Sequence, residues 1–107
     1  MRVTEKQYEI CEGKDWRVRE LDDGSIELEN WSPAGEDLVF YVDCGEPFAE
    51  GVVRTYESFD PEEHAALLIP ARGTNGIPNS LRTLIDDADA IDSMLEELAI
   101  ALTQEEW

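Results

Sequence analysis

Positive charge is scarce in this sequence. Eight Lys and Arg stand against 26 Asp and Glu, a formal charge of -18. A surface so lopsided repels duplex DNA and anionic membranes, which excludes direct nucleic-acid binding and membrane docking as functions. Imidazole is limited to His64, so an acid-base or nucleophilic centre has little to be built from. There is no HExxH, GxSxG, phosphate-binding loop or Gly-rich fingerprint, and we expect no enzyme. Cysteine is limited to Cys11 and Cys44, which form neither a CxxC pair nor a dense disulfide framework, although the two thiols could meet across a strand. No apolar run approaches the roughly 18 residues of a membrane span. The opening "MRVTEKQYEI" has no signal-peptide core, so a reduced, cytoplasmic protein is expected.

What is present points to a folded domain. Hydrophobic residues make up 42% of the chain and include three Trp, three Tyr and three Phe, enough apolar surface to oppose the self-repulsion that keeps many acidic chains disordered. No repeat, low-complexity tract or linker interrupts it, and its 107 residues suit a single domain.

Within residues 1–107 we expect a polar arm over 1–12, strands over 13–45 and helices over 46–107. Its first ten residues read as polar and would form an ordered arm or fray. "DWRVRELDDGSIELENW" carries two alternating runs about Asp23-Gly24, a dipeptide suited to a tight hairpin turn with positive φ at both central residues. "SPAGE", residues 32–36, is a turn, and "DLVFYVDC" is a third strand rich in β-branched and aromatic residues. The result is an antiparallel meander with one wet face, on which Trp31 and Tyr41 would stand as aromatic contacts for a protein partner.

From Glu46 the apolar period becomes helical: Phe48, Val52, Val53, Tyr56 and Phe59 place a helix over "EPFAEGVVRTYESF", with Pro47 in its first turn. Asp60-Pro61-Glu62-Glu63 has a capping acid, a proline at the first helical position and a glutamate three residues after the cap, which starts a second helix. That helix should falter near Pro70 and end by Gly73. "GTNGIPN" is a loop whose backbone amides could face a partner, though turn chemistry alone explains its glycines and asparagines. Asn79 or Ser80 then caps a long last helix running to about Gln104. The fold class is therefore α+β: a three-stranded antiparallel meander followed by three helices, the last long and acidic.

In that last helix Leu81, Leu84, Ile85, Ala88, Ile91, Leu95, Leu98 and Leu102 share one stripe, which should dock on the sheet. Asp86, Asp89, Glu96 and Glu97 gather opposite, with Asp87 and Asp92 at the borders of the stripe. Two readings stand. An amphipathic helix needs a polar face, and charge solvates it. Against this, after Arg82 the chain has eight acids and no Lys or Arg, so the i,i+4 Glu-Lys pairs that stabilise exposed helices are missing, and acids near the C-terminus oppose the macrodipole. On the second reading Asp86, Asp89, Asp92, Glu96 and Glu97 form a working surface for a basic protein partner, a decoy for duplex DNA. "DDADAID" is not an EF-hand loop, since Ile91 falls where its glycine is required, and no metal or other cofactor is expected. His64, beside Glu63, reads as a surface or partly packed side chain.

At "LENWSPAGEDLVFYVD", "FDPEEHA" and "IPNSLRTLIDDADAIDSMLEELAIAL" the chain resembles a family of short, acidic, uncharacterised proteins of phages and integrated mobile elements of bacteria. The likeness covers about residues 16–103 and is most specific at "SPAGED", "FDPEEHA" and "LIDDADAI". It brings no activity or catalytic residue with it. It implies a role among small acidic proteins of mobile elements, which often act against host defence, sometimes by mimicking DNA.

Overall fold

Both connections of the sheet are the same turn, built twice. In the first, Gly24 N–H donates to Leu21 O and Leu21 N–H to Ser25 O; in the second, Gly35 N–H donates to Ser32 O and Ser32 N–H to Glu36 O. Each turn closes on a glycine in the left-handed region, with φ of 90° at Gly24 and 98° at Gly35, where a side chain would be strained. Asp23 is not at positive φ, so the expected two-residue tight turn is replaced by a longer loop ending in a left-handed glycine. The Asp23 carboxylate stabilises it locally by accepting from Ser25 N–H and Oγ.

The computed structural model describes residues 3–74 and 77–104. The two turns join β1 (Arg17–Glu20), β2 (Ile26–Trp31) and β3 (Asp37–Val42) into an antiparallel sheet of order β1-β2-β3. Its register pairs Arg19 with Glu27, Glu27 with Tyr41 and Leu28 with Phe40. Because side chains alternate across a strand, Ile26, Leu28, Phe40 and Val42 face inward, and the charged residues face out.

The helices are α1 (Glu5–Gly13), α2 (Phe48–Ser58), α3 (Pro61–Leu68), continued by a 3-10 turn at Ile69–Ala71, and α4 (Leu81–Gln104). The architecture is α+β, with three helices after the sheet and one before it. That first helix corrects the expected polar arm. Thr4 and Gln7 form a reciprocal capping box, in which Thr4 Oγ1 accepts from Gln7 N–H and Gln7 Oε1 from Thr4 N–H. Cys11 is buried beneath the helix, Trp16 N–H donates back to Cys11 O, and Asn30 Nδ2 holds Lys14 O.

The other helix starts follow the sequence closely. Pro47 stands as the residue before α2 rather than within its first turn. Asp60 caps α3 by accepting from Glu62 and Glu63 N–H, with Pro61 at the first helical position. The Ser80 hydroxyl accepts from Thr83 N–H at the start of α4. The loop after α3 uses several of its own amides: Thr74 N–H bonds Ala71 O, Gly73 N–H bonds Ile77 O, and Ile77 N–H bonds Thr74 O. Asn75 and Gly76, part of the loop expected to expose amides, lie outside the described residues, as do Glu105, Glu106 and Trp107.

One core joins the layers. Ile91, Leu95, Leu98 and Leu102 of α4 meet Ile26, Leu28, Phe40 and Val42 of the sheet and Phe48 and Val52 of α2, and Trp16 stacks edge-on against Phe40 with centroids 5.4 Å apart. α4 also runs beside α2 and α3 and touches α1. Burying a large aliphatic side chain contributes about 1.5–3 kcal/mol, so this stripe is a substantial source of stability. Two members of the expected stripe are not buried: Leu81 and Ile85 remain 48% and 54% exposed. The short α3 reaches α4 there with Ala65 and Ala66, side chains too small to cover them.

Candidate functional site

The outer face of α4 carries Asp86, Asp89, Glu96 and Glu97 exposed and Asp92 half-buried. At 100° per residue these five fall within one arc, because 86, 89 and 92 step by three along the helix and 92 and 96 by four. Among the described residues none of them forms an ion pair with Lys, Arg or His. Tyr56 bonds to this row: its hydroxyl donates to Glu96 Oε2 at 2.8 Å. Partial burial, with the charges of Glu96 and Asp89, holds the Asp92 carboxyl above its ordinary value. Ile85 and Ile100 interrupt the face with exposed apolar groups, so it is not uniformly charged.

The sixth carboxylate of the helix has a different role. Asp87 is 6% exposed, and it binds the turn between β2 and β3: Ser32 Oγ donates to Oδ2 at 2.6 Å and Ala34 N–H to Oδ1 at 2.9 Å. Ser32 Oγ also accepts from Glu36 N–H. Glu36 in turn holds His64 Nε2 at 2.8 Å, and the Phe59 ring packs on the imidazole with centroids 5.1 Å apart. "SPAGED", "FDPEEHA" and "LIDDADAI" are thus tied together in space. Ser32 is engaged by Asp87 and His64 by Glu36. This polar cluster is a clamp between sheet, α3 and α4.

The outer face of the sheet holds Trp31 and Tyr41, 46% and 47% exposed. They do not form one patch. Trp31 lies opposite Asp37 and Tyr41 opposite Glu27, four residues apart on the ladder, about 13 Å at 3.3 Å per residue. Between them the face is a lattice of ion pairs, Arg17 with Glu29 at 3.2 Å and Arg19 with Glu27 at 3.1 Å. Tyr41 donates to Glu27, and its carbonyl takes a bond from Arg54, which also grips Glu46 through two nitrogens. The Glu29 carboxyl stands above its usual range because the Asp37 carboxyl shares a hydrogen bond with it.

Sequence reasoning missed an apolar groove of about 380 Å³ between α3 and α4, lined by Pro61, Ala65, Ala66, Ile69, Leu81 and Ile85 and bordered by Glu62 and Asp89. Its signal was present as Ala65-Ala66 opposite the first stripe residues of α4, but only the folded chain shows that nothing larger covers them among the described residues.

Cys11 and Cys44 are both free, the first buried and the second exposed, which settles against a bridge across strands. Burial pushes the Cys11 thiol up to about 12. Among the described residues no three His, Cys, Asp or Glu side chains are grouped to hold a metal ion, and no helix is long and apolar enough to cross a membrane. A scan against protein-family models, a search of curated proteins and a search of solved structures found no match.

Proposed function

We propose that this chain is a non-enzymatic, acidic protein-binding module that presents the outer face of α4 to a basic partner, and that it inhibits a nucleic-acid-binding host or defence protein by imitating DNA. The observation that carries this reading is the row Asp86, Asp89, Asp92, Glu96 and Glu97 without a cationic partner among the described residues, in a molecule whose sheet face pairs its glutamates with arginines. From 86 to 97 the helix axis advances about 16 Å at 1.5 Å per residue. Five charges over that length average one per about 4 Å of axis, comparable with the one per roughly 3.4 Å of axis that each strand of duplex DNA carries. The resemblance to acidic proteins of phages and mobile elements supports the same reading.

The test is affinity capture from host lysate with the parent and a variant carrying Asp86→Asn, Asp89→Asn, Asp92→Asn, Glu96→Gln and Glu97→Gln. A nucleic-acid-binding protein held by the parent at low salt, released at high salt and not held by the variant is the expected result. The same salt-resistant partner on both proteins would sink it. That outcome would favour a second reading, a small regulatory or structural protein with an apolar interface and acidity that serves solubility alone, which the exposed Trp31, Tyr41, Leu81 and Ile85 support.

A further inference from the structure

The groove between α3 and α4 leaves aliphatic surface open on both walls, with Ile69, Leu81 and Ile85 each more than two-fifths exposed. An isolated exposed leucine needs no explanation, but three around one concavity of about 380 Å³ make a site for apolar side chains. Its walls are helices whose backbone groups already bond within the helix, so they offer no ladder to an extended peptide. An occupant must satisfy its own backbone, as a helix does, and insert side chains at i and i+4.

Charge then selects among helices. Glu62 and Asp89 border the groove, Glu63 follows on α3, and Asp86 and Asp92 flank Asp89 on α4. Among the described residues no Lys or Arg is paired with any of these. A second copy of this chain would bring another -18 charge and another acidic border to the contact, and an anionic lipid would meet the same repulsion. We propose that the groove seats the apolar side of a basic amphipathic helix from the partner protein, with its Lys and Arg side chains lying over Glu62 and Asp89. This rests on the acidic-face reading above, because Asp89 belongs to both surfaces; the groove adds the register and anchors that a row of charges lacks.

The probe is a synthetic amphipathic helix with leucines at i, i+4 and i+7 and lysines and arginines elsewhere, titrated into the full chain and followed by fluorescence anisotropy and backbone amide spectra. Two controls accompany it: a scramble of equal charge without the apolar stripe, and the same stripe with glutamates in place of the cations. We expect the first peptide to shift the amides of Ala65, Ala66, Leu81 and Ile85, to bind about tenfold or more tighter than the scramble, and to lose that margin in Leu81→Gln/Ile85→Gln. Those two positions are half exposed, so the variant should fold; Ala66→Trp, which fills the groove, is a second block. Equal binding of both cationic peptides, with shifts confined to α4 outside the groove, overturns the groove and leaves the acidic face standing. Absence of binding by either cationic peptide overturns both. Equal binding of the glutamate peptide, or a dimer in sedimentation with these residues at its interface, overturns the cationic occupant.

Discussion

On the outer face of the sheet, Glu27 and Glu29 each meet an arginine across the β1–β2 ladder, and Glu46 beside it is held by two nitrogens of Arg54. On the outer face of α4, five carboxylates have no such neighbour among the described residues. The same acid-rich chain builds both faces, so overall composition does not explain the difference: three of its eight basic residues are placed on or beside the sheet, and none on the second half of α4. A face whose charges are paired has its field cancelled locally, whereas an unpaired row projects its field into solvent, where a partner can meet it. Asp87 sharpens the contrast from within α4, since its carboxylate is matched by two donors and faces inward.

The largest expected effect tests that inner carboxylate against its outer neighbour. Asp87→Ala leaves the Ser32 hydroxyl and Ala34 N–H without their acceptor and should cost about 2–3 kcal/mol in denaturant unfolding, while Asp86→Ala should change stability by less than about 0.5 kcal/mol. Next comes the row itself. Asp86 and Asp89, Asp89 and Asp92, and Asp92 and Glu96 are like charges three or four residues apart, each pair destabilising by about 0.2–0.5 kcal/mol. The five-fold neutral variant should therefore be about 1 kcal/mol more stable than the parent at low salt, a margin that shrinks as salt is added. A neutral variant less stable than the parent would break the comparison.

On the sheet, exposed ion pairs contribute little, so Arg17→Gln/Arg19→Gln together should lower stability by about 1 kcal/mol or less. The smallest effect concerns pH. The folded pKa of Asp92 stands above its unfolded value, so its charge opposes folding at neutral pH, and the opposition fades as pH falls through that folded value. Asp92→Asn should be more stable than the parent at pH 7 and match it at acid pH. Asp23 has the opposite sign. Hydrogen bonds from Ser25 lower its pKa, and its contribution, present above the unfolded value, is lost as pH falls through the lowered folded one, so Asp23→Asn should lose stability at neutral pH.

The strands and three later helices were legible because their signals are local: alternation in "IELENW", a cap at Asp60-Pro61, a 3.6-residue stripe in α4. α1 had a local signal too, the Thr4-x-x-Gln7 box, but its apolar spacing is poor and Cys11 is the one residue it buries fully, so periodicity read it as an arm. Asp87 was placed at the border of the stripe and belongs inside, because its partners are 53 and 55 residues away. Leu81 and Ile85 erred the other way: a stripe shows which side of a helix is apolar, not how far a neighbour covers it. For the candidate site, the acidic arc was legible from helical spacing, whereas its lack of counter-ions among the described residues depended on where folding placed Arg17, Arg19 and Arg54.

The clamp at Asp87 also bears on how long the fold lasts. The two hairpin turns close over four or five residues, whereas Ser32 and Asp87 meet only by closing a loop of some fifty residues, which costs more chain entropy. We expect these bonds to form after the folding transition state, so that removing them speeds escape from the native state and leaves the refolding rate almost unchanged. In Asp87→Ala the unfolding arm of the chevron should rise while the folding arm stays in place: the clamp governs the lifetime of the shape that α4 displays.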